Sequence, residues 1–226
     1  MDGAIQRLDN GRDSIAVVGT GVAGLSAAWL LSKHHNVTVY EKDYRAGGHC
    51  NTVQITGRDG LVSIDTGFIV YNEENYPNLT ALLAHFAIET QPTKMSFSVS
   101  DRDKFEYAGS LRGIFARPQN LVSRRFWQML ADIRRFYRDA PKVLGLPEYE
   151  GLSLGEYLEG QAYSDAFVSQ HILPMGAAIW STPRNEMRDY PLISFIQFFL
   201  NHELFRFGNR RPWRTIVGGS QKYVRA

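Results

Sequence analysis

Gly19, Gly21 and Gly24, within Gly19-Thr20-Gly21-Val22-Ala23-Gly24, are the residues whose spacing points most directly to chemistry. The first allows a tight turn off a strand, the second lets the backbone approach a pyrophosphate, and the third lets a helix pack closely on the strand. A glycine triplet alone reads equally well as a flexible turn, so its surroundings decide. Ser14-Ile15-Ala16-Val17-Val18 precedes it, apolar and β-branched, as a strand buried on both faces should be. Leu25 to Ser32 follows, rich in alanine and leucine, and reads as a helix. The start of that helix offers unpaired N–H groups and a positive dipole end to phosphates. A second strand, Asn36 to Tyr40, ends in Glu41, 22 positions after Gly19. A carboxylate there can accept hydrogen bonds from a ribose diol. Together these features read as a βαβ unit that binds a dinucleotide. Glu41 disfavours NADP, whose 2′-phosphate it would repel, but leaves NAD and FAD open.

The next loop, Arg45-Ala46-Gly47-Gly48, separates those two. Its paired glycines can expose backbone N–H groups as an anion nest, and Arg45 can add a charge-assisted bond. Taken alone, Arg45 also reads as a solvated surface charge. The run Val17 to Leu25, then Val37-Thr38-Val39-Tyr40-Glu41-Lys42, then Arg45-x-Gly47-Gly48, resembles the flavin-containing amine oxidase superfamily. That superfamily also holds protoporphyrinogen oxidases and carotenoid desaturases. The resemblance implies FAD, with Arg45, Gly47 and Gly48 against its phosphates and Gly67 and Phe68 passing near the flavin. More loosely, Gly48-His49-x-Asn51-Thr52-Val53, Ile64 to Phe68 and Pro174-Met175 to Trp180 resemble a bacterial branch of NAD/FAD-binding proteins. Members of that branch often occur beside enzymes that modify lipid acyl chains.

The resemblance further implies an α/β fold, a Rossmann-like FAD-binding domain with an inserted α+β substrate domain. Residues 14–71 would form the first FAD-binding segment, 72–212 the substrate-domain segment, and 213–226 the start of a returning FAD-domain segment. The implied reaction is hydride removal from a C–H or C–N bond of a small organic substrate, an amine or a lipid-like molecule. Two rivals remain: an NAD-dependent dehydrogenase, and a non-catalytic binding protein like the GDP dissociation inhibitors. The family carries a second glycine-containing motif later in its sequence, which is not found here. The chain therefore reads as truncated, an incomplete portion of the enzyme; the alternative is a naturally short protein whose missing half is supplied by a partner or by a homodimer.

The other elements are legible to different degrees. Thr52 to Ile55 and Leu61 to Ile64 read as paired strands around Gly57 to Gly60, and Asn75 as the cap of a helix bearing Leu79, Leu82, Leu83 and Phe86. Met95 to Ser100 and Lys104 to Tyr107 read as a hairpin around Asp101-Arg102-Asp103. Arg124 to Arg138 reads as an amphipathic helix, Ser153 to Glu156 as a capping box, and Trp213 to Val217 as a strand. The apolar stretch Leu192 to Leu200 is too short for a membrane span and reads as a buried helix.

Composition narrows the partners. A net charge of +2 gives no argument for nucleic acid. The single cysteine, Cys50, excludes an internal disulfide framework, and with no leader-like apolar run the chain reads as cytoplasmic. The six histidines lack metal spacing, so no metal site is expected. His49 reads as a cofactor contact or a structural histidine, and Cys50 as a flavin tether or a buried inert thiol. Trp180, Phe195, Phe198, Phe199, Phe205 and Trp213 read as an apolar substrate pocket or as core. Arg206, Arg210, Arg211 and Arg214 read as an attractor of acidic substrate or as a solvated face.

Overall fold

The computed structural model of the chain describes residues 11–101, 105–206 and 212–226. In chain order the elements are β1 (Ser14–Val18), α1 (Val22–Leu31), β2 (Asn36–Tyr40), β3 (Thr52–Gly57), β4 (Gly60–Asp65), α2 (Pro77–His85), β5 (Thr90–Thr93), β6 (Ser98–Asp101) and β7 (Phe105–Ala108). They continue as α3 (Leu111–Ile114), α4 (Arg124–Asp139), α5 (Leu154–Gly160), α6 (Asp165–Phe167), α7 (Leu173–Trp180), α8 (Leu192–Asn201), β8 (Trp213–Ile216) and α9 (Gln221–Arg225). The described residues up to Lys94, with Pro212–Ala226, form one compact unit, and those within Met95–Arg211 form a second.

The first unit opens with the expected βαβ. Strand β1 pairs parallel to β2, in register from Ser14 with Asn36 to Val18 with Tyr40. A parallel pair cannot be joined by a hairpin, and α1 supplies the crossover. Strands β3 and β4 form the antiparallel hairpin, with Gly57 opposite Gly60. Strand β5 pairs antiparallel with β8, which brings residues 213–216 back to the N-terminal part of the chain. Behind this pairing lies a small core of Cys50, Tyr71, Leu83, Ile216 and Tyr223.

Two expectations are corrected here. Strand β1 was expected to be buried on both faces, yet its residues alternate between exposed and half-buried, and Val18 is 85% exposed. Among the described residues the sheet has two strands, and α1 is the helix packed on it, which leaves much of β1 open to solvent. The helix over Leu79 to Phe86 forms, but Tyr76 is its cap and Pro77 its first residue. Pro77 cannot donate an N–H and is well placed at a helix start. The Asn75 backbone N–H instead donates to Asn72 Oδ1 at 2.8 Å.

The second unit is mainly helical around one apolar core. In α4, Phe126, Met129, Ile133 and Phe136 are buried on one face, and Ser123 Oγ caps the helix by accepting from Phe126 N at 3.2 Å. Helix α5 begins with the full capping box: Ser153 Oγ accepts from Glu156 N at 3.2 Å, and Ser153 N donates to Glu156 Oε2 at 2.8 Å. Helix α8 is the apolar stretch, with Leu192, Phe195, Ile196 and Phe199 buried. Strands β6 and β7 pair antiparallel as expected, and residues 102–104 between them lie outside the described residues. A single π-helical turn, Val168–Ile172, holds the buried His171, whose Nδ1 meets the Tyr107 hydroxyl at 2.5 Å. Burial lowers the His171 pKa to about 3, so its ring is neutral at physiological pH.

Candidate functional site

The site is built where the β1–α1 turn meets the loop after β2. Gly19 has φ +94°, a conformation that side chains disfavour, and its N–H donates to Tyr40 O at 2.7 Å. The turn is thereby tied to the end of β2. A Cβ on Gly24 would lie 2.0 Å from Gly19 O, so glycine is required for α1 to pack on the turn. A Cβ on Gly21 would meet nothing within 4 Å. Gly21 is also the N-cap of α1, with no side chain closing the helix end. An uncapped helix N-terminus beside open space is the arrangement that accepts a phosphate, and Val22 and Ala23, both exposed, begin that helix.

Glu41 sits at the other end of the turn. Its Oε2 accepts from Thr20 N at 2.9 Å and from the Thr20 hydroxyl, and its Oε1 accepts from Asp43 N at 3.0 Å. The Thr20 hydroxyl and these two backbone donors hold its pKa near 2, so it is a carboxylate at neutral pH. Thr20 itself is buried and reaches further. Its Oγ1 accepts from Gly47 N at 3.1 Å, and its carbonyl accepts from the same N–H at 3.1 Å. One threonine thus joins the glycine turn, the acid and the Gly-Gly loop. It stands between the first two glycines of the triplet and was not singled out in the sequence.

Gly47 and Gly48 have φ +116° and +55°, and a Cβ on Gly48 would lie 3.1 Å from the Gly21 Cα. The second loop therefore rests on the turn. Arg45 faces its own loop, donating from Nη2 to Gly48 O at 2.8 Å and from Nη1 to Cys50 O at 3.2 Å. It is not a freely solvated charge. Phe68 N donates to His49 O at 2.9 Å, and a Cβ on Gly67 would lie 2.3 Å from that oxygen. Gly67 and Phe68 are thereby packed against the same loop. His49 contributes its carbonyl, while its side chain is exposed.

The returning segment is locked on by residues that sequence reasoning passed over. Asp65 accepts from Ser220 N at 3.0 Å and Ser220 Oγ at 2.9 Å, and from Thr52 Oγ1 at 2.5 Å. Thr52 Oγ1 in turn accepts from Gln221 N at 3.0 Å. Cys50 is buried with its thiol against the Tyr223 hydroxyl, which fits an inert thiol. Burial pushes the thiol pKa up.

The remaining candidates separate. Phe195 and Phe199 are fully buried in the core of the second unit, with Trp180, Phe198 and Phe205 packed against it, while Trp213 is buried in the first unit. The aromatic set is core rather than one pocket. Arg206 pairs with Glu203 at 2.9 Å, and Arg214 donates to Thr90 and lies 3.4 Å from Glu73. Arg210 and Arg211 lie outside the described residues. Among the described residues no helix is long and apolar enough to cross a membrane, and no group of three His, Cys, Asp or Glu side chains is placed to hold a metal ion.

Turn, helix end, acid and Gly-Gly loop define a Rossmann-like dinucleotide-binding fold, and residues 17–86 match the NAD(P)-binding Rossmann-like domain family. A stretch of 92 residues is 36% identical to protoporphyrinogen oxidase 2, chloroplastic/mitochondrial, of Arabidopsis thaliana, covering 40% of this chain and 16% of that protein. The chain superposes on putrescine oxidase bound to putrescine with a TM-score of 0.59 and 17% identity, over 94% of this chain and 47% of that one. It superposes on cyclohexylamine oxidase from Brevibacterium oxydans IH-35A with a TM-score of 0.58 and 16% identity, over 95% and 48%. The resemblance to flavin-containing amine oxidases thus holds in the fold. The chain spans about half the length of these solved structures.

Proposed function

We propose that the chain binds the ADP half of FAD and forms part of a flavin-dependent oxidoreductase acting on a small organic substrate. The observation that carries this reading is the convergence of the Gly47–Gly48 loop on Gly21, where open space adjoins an uncapped helix end. The pyrophosphate would lie over Gly21 and the first N–H groups of α1, and the ribose would meet Glu41. Arg45 shapes the Gly-Gly loop through its bonds to Gly48 O and Cys50 O, and Gly67 and Phe68 support that loop from behind. Bound FAD supplies the acceptor for a hydride equivalent; the protein's part is to position it and exclude water.

An amine is the substrate class favoured by the fold, since both oxidases of the superposition are named for amines. The FAD-binding role is assigned to residues 14–71 and 213–226, and substrate contact to residues 72–212. An NAD-dependent dehydrogenase is the second reading, favoured by the match of residues 17–86 to a family described as NAD(P)-binding. The purified protein should show a flavin spectrum, and denaturation should release FAD without covalent attachment. Release of NAD would favour the second reading, and a flavin that stayed with the chain would contradict noncovalent binding.

A further inference from the structure

Residues 107–131 contain no aspartate or glutamate but carry Arg112, Arg117, Arg124 and Arg125. In a chain of net charge +2 this is a strong local excess. The same stretch exposes Phe115, Leu121, Val122 and Trp127, with Val122 at 88%. Phe115, Trp127 and the Leu121 backbone are grouped, the two rings 6.0 Å apart and Trp127 Nε1 donating to Leu121 O at 2.8 Å, and Val122 follows Leu121 in the chain. The only polar atom of the indole side chain is thereby satisfied internally, while the ring remains half exposed. Arg117 and Arg125, with Ser123 and Gln170, line a cavity of about 180 Å³ that is floored by Phe105 and Phe126. Arg125 also pairs with Asp165 and lies 3.5 Å from Ser169 Oγ.

Exposed apolar side chains grouped in this way mark an interaction surface. The charge decides the kind. Arginine and aromatic side chains are common at protein interfaces as well, so the sign of the charge points to the partner: four arginines with no acid between them fit an anionic surface. Here Arg117 follows Phe115 by two positions, and Arg124 and Arg125 follow Leu121 and Val122 by two to four. Arginine stems can lie along apolar surface while their guanidiniums stay at phosphate level, and aromatic rings favour the interfacial layer of a bilayer. We propose that residues 111–127 dock the protein reversibly on an anionic phospholipid surface. The phosphate of one headgroup sits between Arg117 and Arg125, and Phe115, Leu121, Val122 and Trp127 enter the interface. This docking does not depend on the flavin reading.

Co-sedimentation of the whole chain with phosphatidylcholine vesicles, with and without added phosphatidylserine, tests the idea. Binding is expected only with phosphatidylserine and should weaken as salt is raised. R117Q/R124Q should reduce the partition coefficient about 25-fold, from about five-fold per arginine. Val122→Asp should reduce it as well, with melting temperature unchanged because its side chain is exposed. No phosphatidylserine-dependent binding, equal binding to phosphatidylcholine alone, or full binding by both variants would overturn the proposal. So would a Val122→Asp protein that loses a dimer seen in the parent while its vesicle binding is unchanged, since the patch would then be a contact between copies.

Discussion

At the residue scale, three glycines that look alike in the sequence do different work. A Cβ on Gly24 collides with Gly19 O, so Gly24→Ala should destabilise the fold by about 3 kcal/mol, measurable by denaturant unfolding. A Cβ on Gly21 meets only open space. Gly21→Ala should therefore melt like the parent yet bind FAD more weakly, and Gly21→Val should bind more weakly still. Glu41→Ala should lose about 1.5–3 kcal/mol of FAD binding, roughly ten- to a hundredfold in affinity by titration. Thr20 tunes this acid. The Glu41 pKa is lowered from the ordinary 4.5 to about 2, and the Thr20 hydroxyl is the largest cause. A depressed carboxylate stabilises the fold fully above its unfolded value and loses that contribution as pH falls through its folded value. The difference in melting temperature between the parent and Glu41→Gln should thus be constant above about pH 5 and shrink toward pH 2. In Thr20→Val, the Glu41 carboxyl followed by NMR should titrate closer to 4.5. A titration unchanged from the parent would mean that Thr20 does not hold the acid.

At the element scale, what was legible in the sequence was local. The β1–α1–β2 order, the β3–β4 hairpin, the amphipathic α4, the α5 capping box and the buried α8 each follow from a pattern within one short window. The β5–β8 pairing joins Thr90 to Ile216 across more than a hundred residues, and neither strand encodes its partner. The bond from Ser220 to Asp65 was hidden for the same reason, as was the threonine that links two loops 27 positions apart. Local patterns likewise could not show that the two-stranded sheet leaves β1 exposed. The π-helical turn at Val168–Ile172 leaves no mark in hydrophobic periodicity either. It carries a consequence for pH. His171 is neutral in the fold down to about pH 3 but titrates near 6.5 when unfolded. Below that value the unfolded chain binds the extra proton, so stability should fall with acid between about pH 6.5 and 3, by up to about 1.4 kcal/mol per unit. His171→Gln, lacking a titrating ring, should flatten that slope in urea unfolding at several pH values. An identical slope would assign it to other groups.

At the scale of the whole molecule, the first unit presents apolar surface to solvent. Val18, Val39 and Tyr40 on β1 and β2, and Leu61 and Val62 on β4, are exposed. Such surface on short unprotected strands favours pairing with other chains. The 226-residue chain on its own should associate with rising concentration in sedimentation velocity, and a monomer at all concentrations would contradict this. Its fold matches about half the length of the amine oxidase structures, and that portion contains the glycine turn, the acid and the Gly-Gly loop together. The central claim is that this portion recognises the ADP half of FAD. Calorimetric titration of the chain with FAD, FMN and NADP tests it most directly, because FMN lacks the pyrophosphate and the adenosine ribose that Gly21 and Glu41 are proposed to hold. The account predicts that FAD binds, that ADP competes with it, and that FMN and NADP bind far more weakly. FMN binding as tightly as FAD, or NADP binding more tightly, would contradict it.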